Sequence, residues 1–229
     1  MVMISINKLS LVYDGLRITS PLRFPERLRF KALDIDDFGI NEGEVVALMG
    51  HNGAGKSTLI NAIAGKMRPS HGSILVQGTT VHLSGVNPGF DQNLSPRQNL
   101  LWLSKIYDCE PDSVISSVED FSDIGEAFDR PIRTLSGGMR GRVGFGFATS
   151  LKPQILLIDE VLGVGDPSFK AKATNRLEEM MRNTGIVLLS THSVGLVKSI
   201  ASRVAVLENG KLVHDGDVDA GLALYSAIR

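Results

Sequence analysis

Cysteine is almost missing: 229 residues include one, Cys109. No internal disulfide can form, which points to a reducing, cytosolic setting. Net charge is almost missing too, with 24 basic residues against 25 acidic ones. That balance excludes a broad electrostatic footprint for nucleic acid. No apolar run reaches the ~18 residues that a membrane-crossing helix needs. The opening MVMISINKLS lacks the charged start and apolar stretch of a secretory signal. There are no internal repeats, low-complexity tracts or coiled-coil heptads. What the chain does have is apolar residues, at 43%, enough for one sizeable core with or without a subdomain. It also has 24 glycines, above the usual ~7%. Most of them fall at a few places that matter.

The pattern alternates between strands and helices. Residues 3–13 alternate apolar and polar and read as a strand. A Pro- and Arg-containing stretch follows. EVVALMG, residues 44–50, is a short apolar run ending in glycine, as in a buried strand. STLINAIAGKM reads as a helix and GSILVQG as a strand. Ser95-Pro96-Arg97-Gln98 has the form of a capping box with proline at the first helical position. Helical patterning then runs through Tyr107, and shorter helices follow over 112–120 and 124–128. QILLIDE and GIVLLST are buried strands on either side of a helix over 170–182. RVAVLENGKLVHDG is a hairpin whose turn, Asn209-Gly210, tolerates two positive φ angles. The order implies an α/β fold with a mostly parallel, covered sheet, interrupted by a helical stretch.

GHNGAGKST, from Gly50 to Thr58, fits G-x-x-x-x-G-K-[ST] between a predicted strand and a predicted helix. Its backbone N–H groups, from Gly50 through Asn52, Gly53, Ala54 and Gly55 to Thr58, would converge on phosphate oxygens. The helix N-terminus adds its dipole. Lys56 would reach the outer phosphates, and the Ser57 hydroxyl would ligate Mg²⁺. ILLIDE ends a hydrophobic strand in two carboxylates. Acids there are costly unless they hold a cation or do chemistry. Asp159 would hold Mg²⁺ through water, and Glu160 would polarise the attacking water. STHS places His192 at the carboxyl end of another strand, where it can contact the γ-phosphate or the water. Together these describe a nucleoside-triphosphate hydrolase.

LSGGMR, from Leu135 to Arg140, narrows that reading. Glycine loop, LSGG, LLIDE and STHS in that order resemble the ATP-binding subunits of ABC transporters, over roughly Met3 to Gly216. The resemblance implies a P-loop fold of the ABC type, with a mixed sheet core, an antiparallel β part and an inserted helical subdomain. It implies an ATP-binding core over 1–90 and 135–229 and a helical subdomain over 91–134. It also implies ATP and Mg²⁺ as cofactors. The signature would bind the γ-phosphate of ATP held by the other subunit, so the active species would be a head-to-tail homodimer. Ser136 is a good N-cap there, and Gly137 and Gly138 permit close backbone approach. Tyr13 resembles the aromatic that stacks on adenine, or is a plain strand-end tyrosine. Gly165 and Asp166 occupy the loop that crosses the dimer interface in the family. Gln92 corresponds to the glutamine that senses γ-phosphate and Mg²⁺, although spacing also admits Asp91.

IDEVLGVGDPSFKAK, Met139 and RVGFGF are similar to exporters of bacterial surface polysaccharides: capsule, O-antigen and teichoic acid. The chain ends soon after its hairpin, which favours systems without an appended carbohydrate-binding domain. The resemblance implies two copies of an integral-membrane permease as partners and a lipid-linked polysaccharide as cargo. It implies a peripheral position on the cytoplasmic face of the plasma membrane and no nucleic-acid partner. Leu101, Trp102 and Tyr107 are candidate permease anchors or members of the subdomain's own core. The basic stretch from Arg17 to Lys31 is either a solvated loop or a contact for anionic lipid, permease or cargo. Another ABC exporter, for lipid or drug, and a soluble scaffold ATPase remain as alternatives.

Overall fold

The computed structural model describes residues 1–17, 26–83, 88–159 and 167–228. The chain separates into two compact units. The first comprises Met1–His82, Gln154–Glu160 and Gly185–Arg229; the second comprises Leu83–Pro153 and Val161–Thr184.

The first unit carries two sheets. β1 (Val2–Arg17), β2 (Glu26–Asn41) and β4 (His71–Val76) form an antiparallel sheet in the order β2-β1-β4. The other sheet contains β3 (Val45–Met49), β5 (Thr80–Leu83), β6 (Ile155–Asp159), β7 (Ile186–Ser190), β8 (Arg203–Glu208) and β9 (Lys211–Gly216). Its order is β5-β6-β7-β3-β8-β9. β6, β7, β3 and β8 run parallel, and β9 turns back antiparallel. Strands of this kind are covered on both faces, and β3 shows how. Val46 and Leu48 join a core with α1 (Lys56–Ile63) and the antiparallel sheet. Ala47 and Met49 point the other way, into a core with α6 (Val194–Ile200) and α7 (Val218–Ile228). Such double burial gives continuous apolar runs rather than alternating ones.

The sequence reading places no strand over 26–41, yet β2 pairs with β1 along nearly its whole length. Pro25 and the neighbouring charges obscure it. The inward set Leu33, Ile35, Phe38 and Ile40 breaks strict alternation at Asp36-Asp37. In the basic stretch, Arg29 pairs with Asp14 at 3.2 Å and Lys31 with Asp34 at 2.8 Å. Both pairs are exposed and contribute little to stability. Arg23 lies outside the described residues, as do the side chains of Arg17 and Arg27. The hairpin turn follows expectation, with Asn209 at φ 48° and Gly210 at φ 77°.

The second unit is helical: α2 (Pro96–Ile106), α3 (Pro111–Ser122), α4 (Gly137–Ser150) and α5 (Pro167–Arg182), with 3₁₀ turns at Gly125–Asp129 and Ile132–Thr134. The capping box is present: Ser95 Oγ accepts from Gln98 N, and Gln98 Oε1 accepts from Ser95 N. Arg97 clamps Glu119 at 2.6 Å and Asp129 at 2.8 Å while lying over the Phe128 ring. Those bonds hold the Asp129 carboxyl below its ordinary pKa. Gly141, Gly144 and Gly146 are buried within α4. A Cβ at Gly146 would sit 3.0 Å from Phe121 Cδ1 and 3.2 Å from Val118 Cγ1. The helical cost of that glycine, about 1 kcal/mol, is the condition for α3 to pack closely on α4.

His82, on β5, has no hydrogen-bond partner at either ring nitrogen among the described residues. Burial pushes its pKa down to about 4, helped by Lys66 and opposed by Asp159. The fold therefore holds the imidazole neutral, while the unfolded chain takes up a proton below about pH 6.5. The stability this confers is complete above the ordinary value of 6.5 and is lost as pH falls towards 4. After solvent screening of a half-buried ring, the expected size is about 1–2 kcal/mol. In His82→Gln, the fall in thermal midpoint between pH 6.5 and 4 should be shallower than in the parent. An identical fall would assign the acid sensitivity to other groups.

Candidate functional site

The phosphate loop starts where β3 ends. Gly50 adopts φ 149°, and a Cβ there would lie 2.3 Å from the Leu207 carbonyl oxygen. At Gly55, with φ 106°, a Cβ would lie 2.9 Å from Leu33 Cδ2 and 3.1 Å from the Ala32 carbonyl oxygen. Both positions need glycine for conformation and for space at once. The hairpin turn braces the loop from behind: Gly210 N donates to Ala54 O at 3.0 Å, and Asp34 N donates to Gly210 O at 2.8 Å.

α1 then opens with Gly55 as N-cap, without a side-chain cap and without an acid in its first turn. No side chain caps this helix start among the described residues, an arrangement that suits an anion at the first turn. Lys56 is buried, and its Nζ donates to the carbonyls of Gly50 at 2.7 Å and His51 at 3.1 Å. Its ammonium therefore lies against the loop that would hold phosphate. Ser57 is exposed, and its hydroxyl donates to Asp159 Oδ1 at 3.1 Å. Two proposed Mg²⁺ ligands meet there, although 102 positions separate them. Their donor set, a hydroxyl and a carboxylate, suits a hard divalent cation. Among the described residues no cluster of three His, Cys, Asp or Glu forms a metal cage. Mg²⁺ is commonly held by one or two protein ligands together with substrate phosphates and waters.

Tyr13 borders a cavity of about 200 Å³ together with Asn52, Gly53, Gly55, Lys56, Ser57 and Thr58. Its cross-strand neighbour is Phe30, which lines the same cavity and is exposed. Two exposed aromatics thus flank the loop. The second was not assigned to the site from sequence because its strand was not recognised.

His192 follows β7, and its Nδ1 lies 2.9 Å from the Tyr225 hydroxyl. Tyr225 is buried on α7, with only 2% exposed. This contact orients the imidazole, and sequence reasoning missed it. Its only sequence signal is the apolar spacing of Leu222 and Tyr225 beyond the hairpin.

In the second unit, Ser136 caps α4 as expected, accepting from Met139 N at 3.2 Å. A Cβ at Gly137 would meet nothing within 4 Å, and one at Gly138 only Ser136 Oγ at 4.0 Å. Packing among the described residues therefore does not explain either glycine. Gln92 is exposed, and its side chain donates to Phe90 O at 3.3 Å. The Asp91 carboxylate accepts from Asn93 N at 2.8 Å. Buried Asn99 shapes this segment: its amide binds Asp91 N together with the carbonyls of Asp91, Leu94 and Ser95. On α2, Leu101, Trp102 and Ile106 are exposed. Tyr107 is exposed in part, and its ring meets Phe147 edge-on at 5.6 Å, so it also belongs to the subdomain's packing. Glu160, Gly165 and Asp166 lie outside the described residues.

Comparisons with known proteins give the family and the fold. Residues 33–163 match the family described as ABC transporter. The O-antigen export system ATP-binding protein RfbE of Yersinia enterocolitica is 36% identical over 191 residues, covering 82% of this chain and 80% of that one. The polysialic acid transport ATP-binding protein KpsT of Escherichia coli is 35% identical over 199 residues, covering 86% and 87%. A solved structure of an ATP-binding subunit of an ABC transporter superposes with a TM-score of 0.72. It is 24% identical and covers 99% of this chain and 94% of its own, a likeness of fold.

Proposed function

The chain belongs to the ABC transporter family, and from that premise we infer that it is the ATP-hydrolysing subunit of an exporter for a lipid-linked bacterial surface polysaccharide. The observation that carries the chemistry is the meeting of Ser57 and Asp159 at the uncapped start of α1, beside buried Lys56. Phosphates bind the N–H groups of that turn, and Lys56 neutralises the outer charge. Ser57 and Asp159 hold Mg²⁺, which offsets charge on the phosphate oxygens when bound. Glu160 takes a proton from the attacking water. His192, whose Nδ1 lies against the Tyr225 hydroxyl, contacts a phosphate oxygen through its ring. Tyr13, with Phe30 beside it, stacks on adenine. Gln92 senses the γ-phosphate.

The signature belongs to a second copy's ATP. The open space around Gly137 and Gly138 supports this, since a backbone kept bare without an internal reason suits an outside group. Two copies then close head to tail over two nucleotides, with Asp166 at the interface. Residues 91–134 form the subdomain that receives a permease helix, with Leu101, Trp102 and Ile106 as its apolar contacts. No described helix is long and apolar enough to cross a membrane. In this reading, attachment to the cytoplasmic face of the plasma membrane is through two permease subunits.

Co-purification tests this reading. Mild detergent extraction of cells expressing the tagged chain should bring down an integral-membrane protein in equal amount. Loss of the chain should deplete surface polysaccharide while lipid-linked polymer accumulates inside. A chain recovered alone, with normal surface polysaccharide, would favour the scaffold ATPase.

A further inference from the structure

One cavity of the second unit is lined by none of the residues assigned to the nucleotide chemistry. It holds about 520 Å³, and Ser113, Ser117, Thr149, Lys152, Arg176 and Glu179 are among the residues that line it. Arg176 sets its character. Its Nε donates to Thr149 Oγ1 at 3.0 Å, and its Nη2 donates to Ser117 Oγ at 2.7 Å. The guanidinium carbon lies 4.9 Å from the centre of the Phe121 ring. Thr149 is itself fixed by bonds to the carbonyls of Phe145 and Gly146.

The guanidinium is therefore half-buried and held in one orientation, and both of its hydrogen-bond partners are neutral hydroxyls. Five N–H donors are available on an arginine, and only two have acceptors among the described residues. Glu179 and Asp120 act on Arg176 only through their field, without an ion pair among the described residues, and burial pushes its pKa down. A desolvated cation without an anion is unfavourable, and a planar fork matches phosphate oxygens. Lys152 is exposed at the rim and adds a second positive charge. Glu179, also in the lining, is the one opposing charge there. The volume is far more than an inorganic anion fills and lies within the range of small-molecule sites. The hydroxyl lining suits a ligand that itself carries hydroxyls.

We propose that this cavity binds a small phosphorylated, hydroxyl-bearing metabolite of sugar-phosphate size, with its phosphate on Arg176 and Lys152 and its hydroxyls toward Ser113, Ser117 and Thr149. The ligand neutralises Arg176 and bridges α3, α4 and α5. None of the residues that line the cavity belongs to the proposed nucleotide site.

Glucose 1-phosphate is the probe, titrated by calorimetry into the full chain saturated with Mg²⁺ and a non-hydrolysable ATP analogue. Filling the phosphate loop in this way removes it as a competing site. Saturable binding is expected, with glucose inactive and inorganic phosphate weaker by about tenfold or more. Arg176→Gln should weaken binding by about tenfold or more. Because that variant also loses its stacking on Phe121, Lys152→Glu supplies a second test at an exposed position. It should weaken binding by a similar factor with an unchanged thermal midpoint and unchanged ATP turnover. Absence of saturable binding in the parent overturns the proposal, as does binding unchanged in Lys152→Glu. Equal affinity for glucose 1-phosphate and inorganic phosphate would overturn the part assigned to the hydroxyls.

Discussion

Lys56→Ala should lower ATP turnover by about a hundred- to a thousandfold in kcat/KM, the usual loss when one preorganised donor to a developing charge is removed. The loss should include a large fall in nucleotide affinity, because in the proposed role Lys56 would also neutralise charge in the ground state. Its ammonium is already gathered against the loop, bonded to the carbonyls of Gly50 and His51. Little reorganisation is therefore needed to meet a phosphate. Those two bonds also bear on the fold, and losing them should cost about 1–3 kcal/mol. A thermal midpoint measured beside phosphate release separates the two effects. Turnover near the parent's rate in a folded variant would remove Lys56 from the mechanism.

Glu160→Gln should lower turnover by about a hundred- to ten-thousandfold, the range for loss of a positioned general base. ATP binding should persist, since the amide keeps the shape and Asp159 remains with Ser57. Under the proposed head-to-tail arrangement, binding without hydrolysis should leave two copies closed over their nucleotides. Light scattering with ATP and Mg²⁺ should then report a stable dimer, and the parent should return to its starting state as ATP is consumed. Hydrolysis at the parent's rate would assign the base to another group. This test differs in kind from the first, because here affinity and turnover come apart.

What a short stretch of this sequence reveals depends on distance along the chain. Gly50 to Thr58 is one contiguous stretch, and each of its features depends on a neighbour a few residues away. So do the box at Ser95 and Gln98, the turn at Asn209-Gly210 and the cap at Ser136. β2 went unrecognised because its partner is β1, and its own sequence is interrupted by charges. Tyr225 was missed for a similar reason: it reaches His192 across 33 positions, with no motif to announce it. Gly146 was unexplained until Phe121 and Val118 of another helix were seen against it.

By itself the sequence determined the phosphate loop, the paired acids ending an apolar strand, the signature turn and the order in which they come. These are local patterns, set by backbone conformations and side-chain periods that a short window contains. Only the tertiary structure decided that Ser57 meets Asp159, that Phe30 stands beside Tyr13, that Tyr225 meets His192, and that Arg176 faces a cavity with two hydroxyls as its hydrogen-bond partners among the described residues. Each is a meeting of groups far apart in the chain. Such meetings come from burying both faces of one sheet and packing helices closely, and no window of sequence contains that packing.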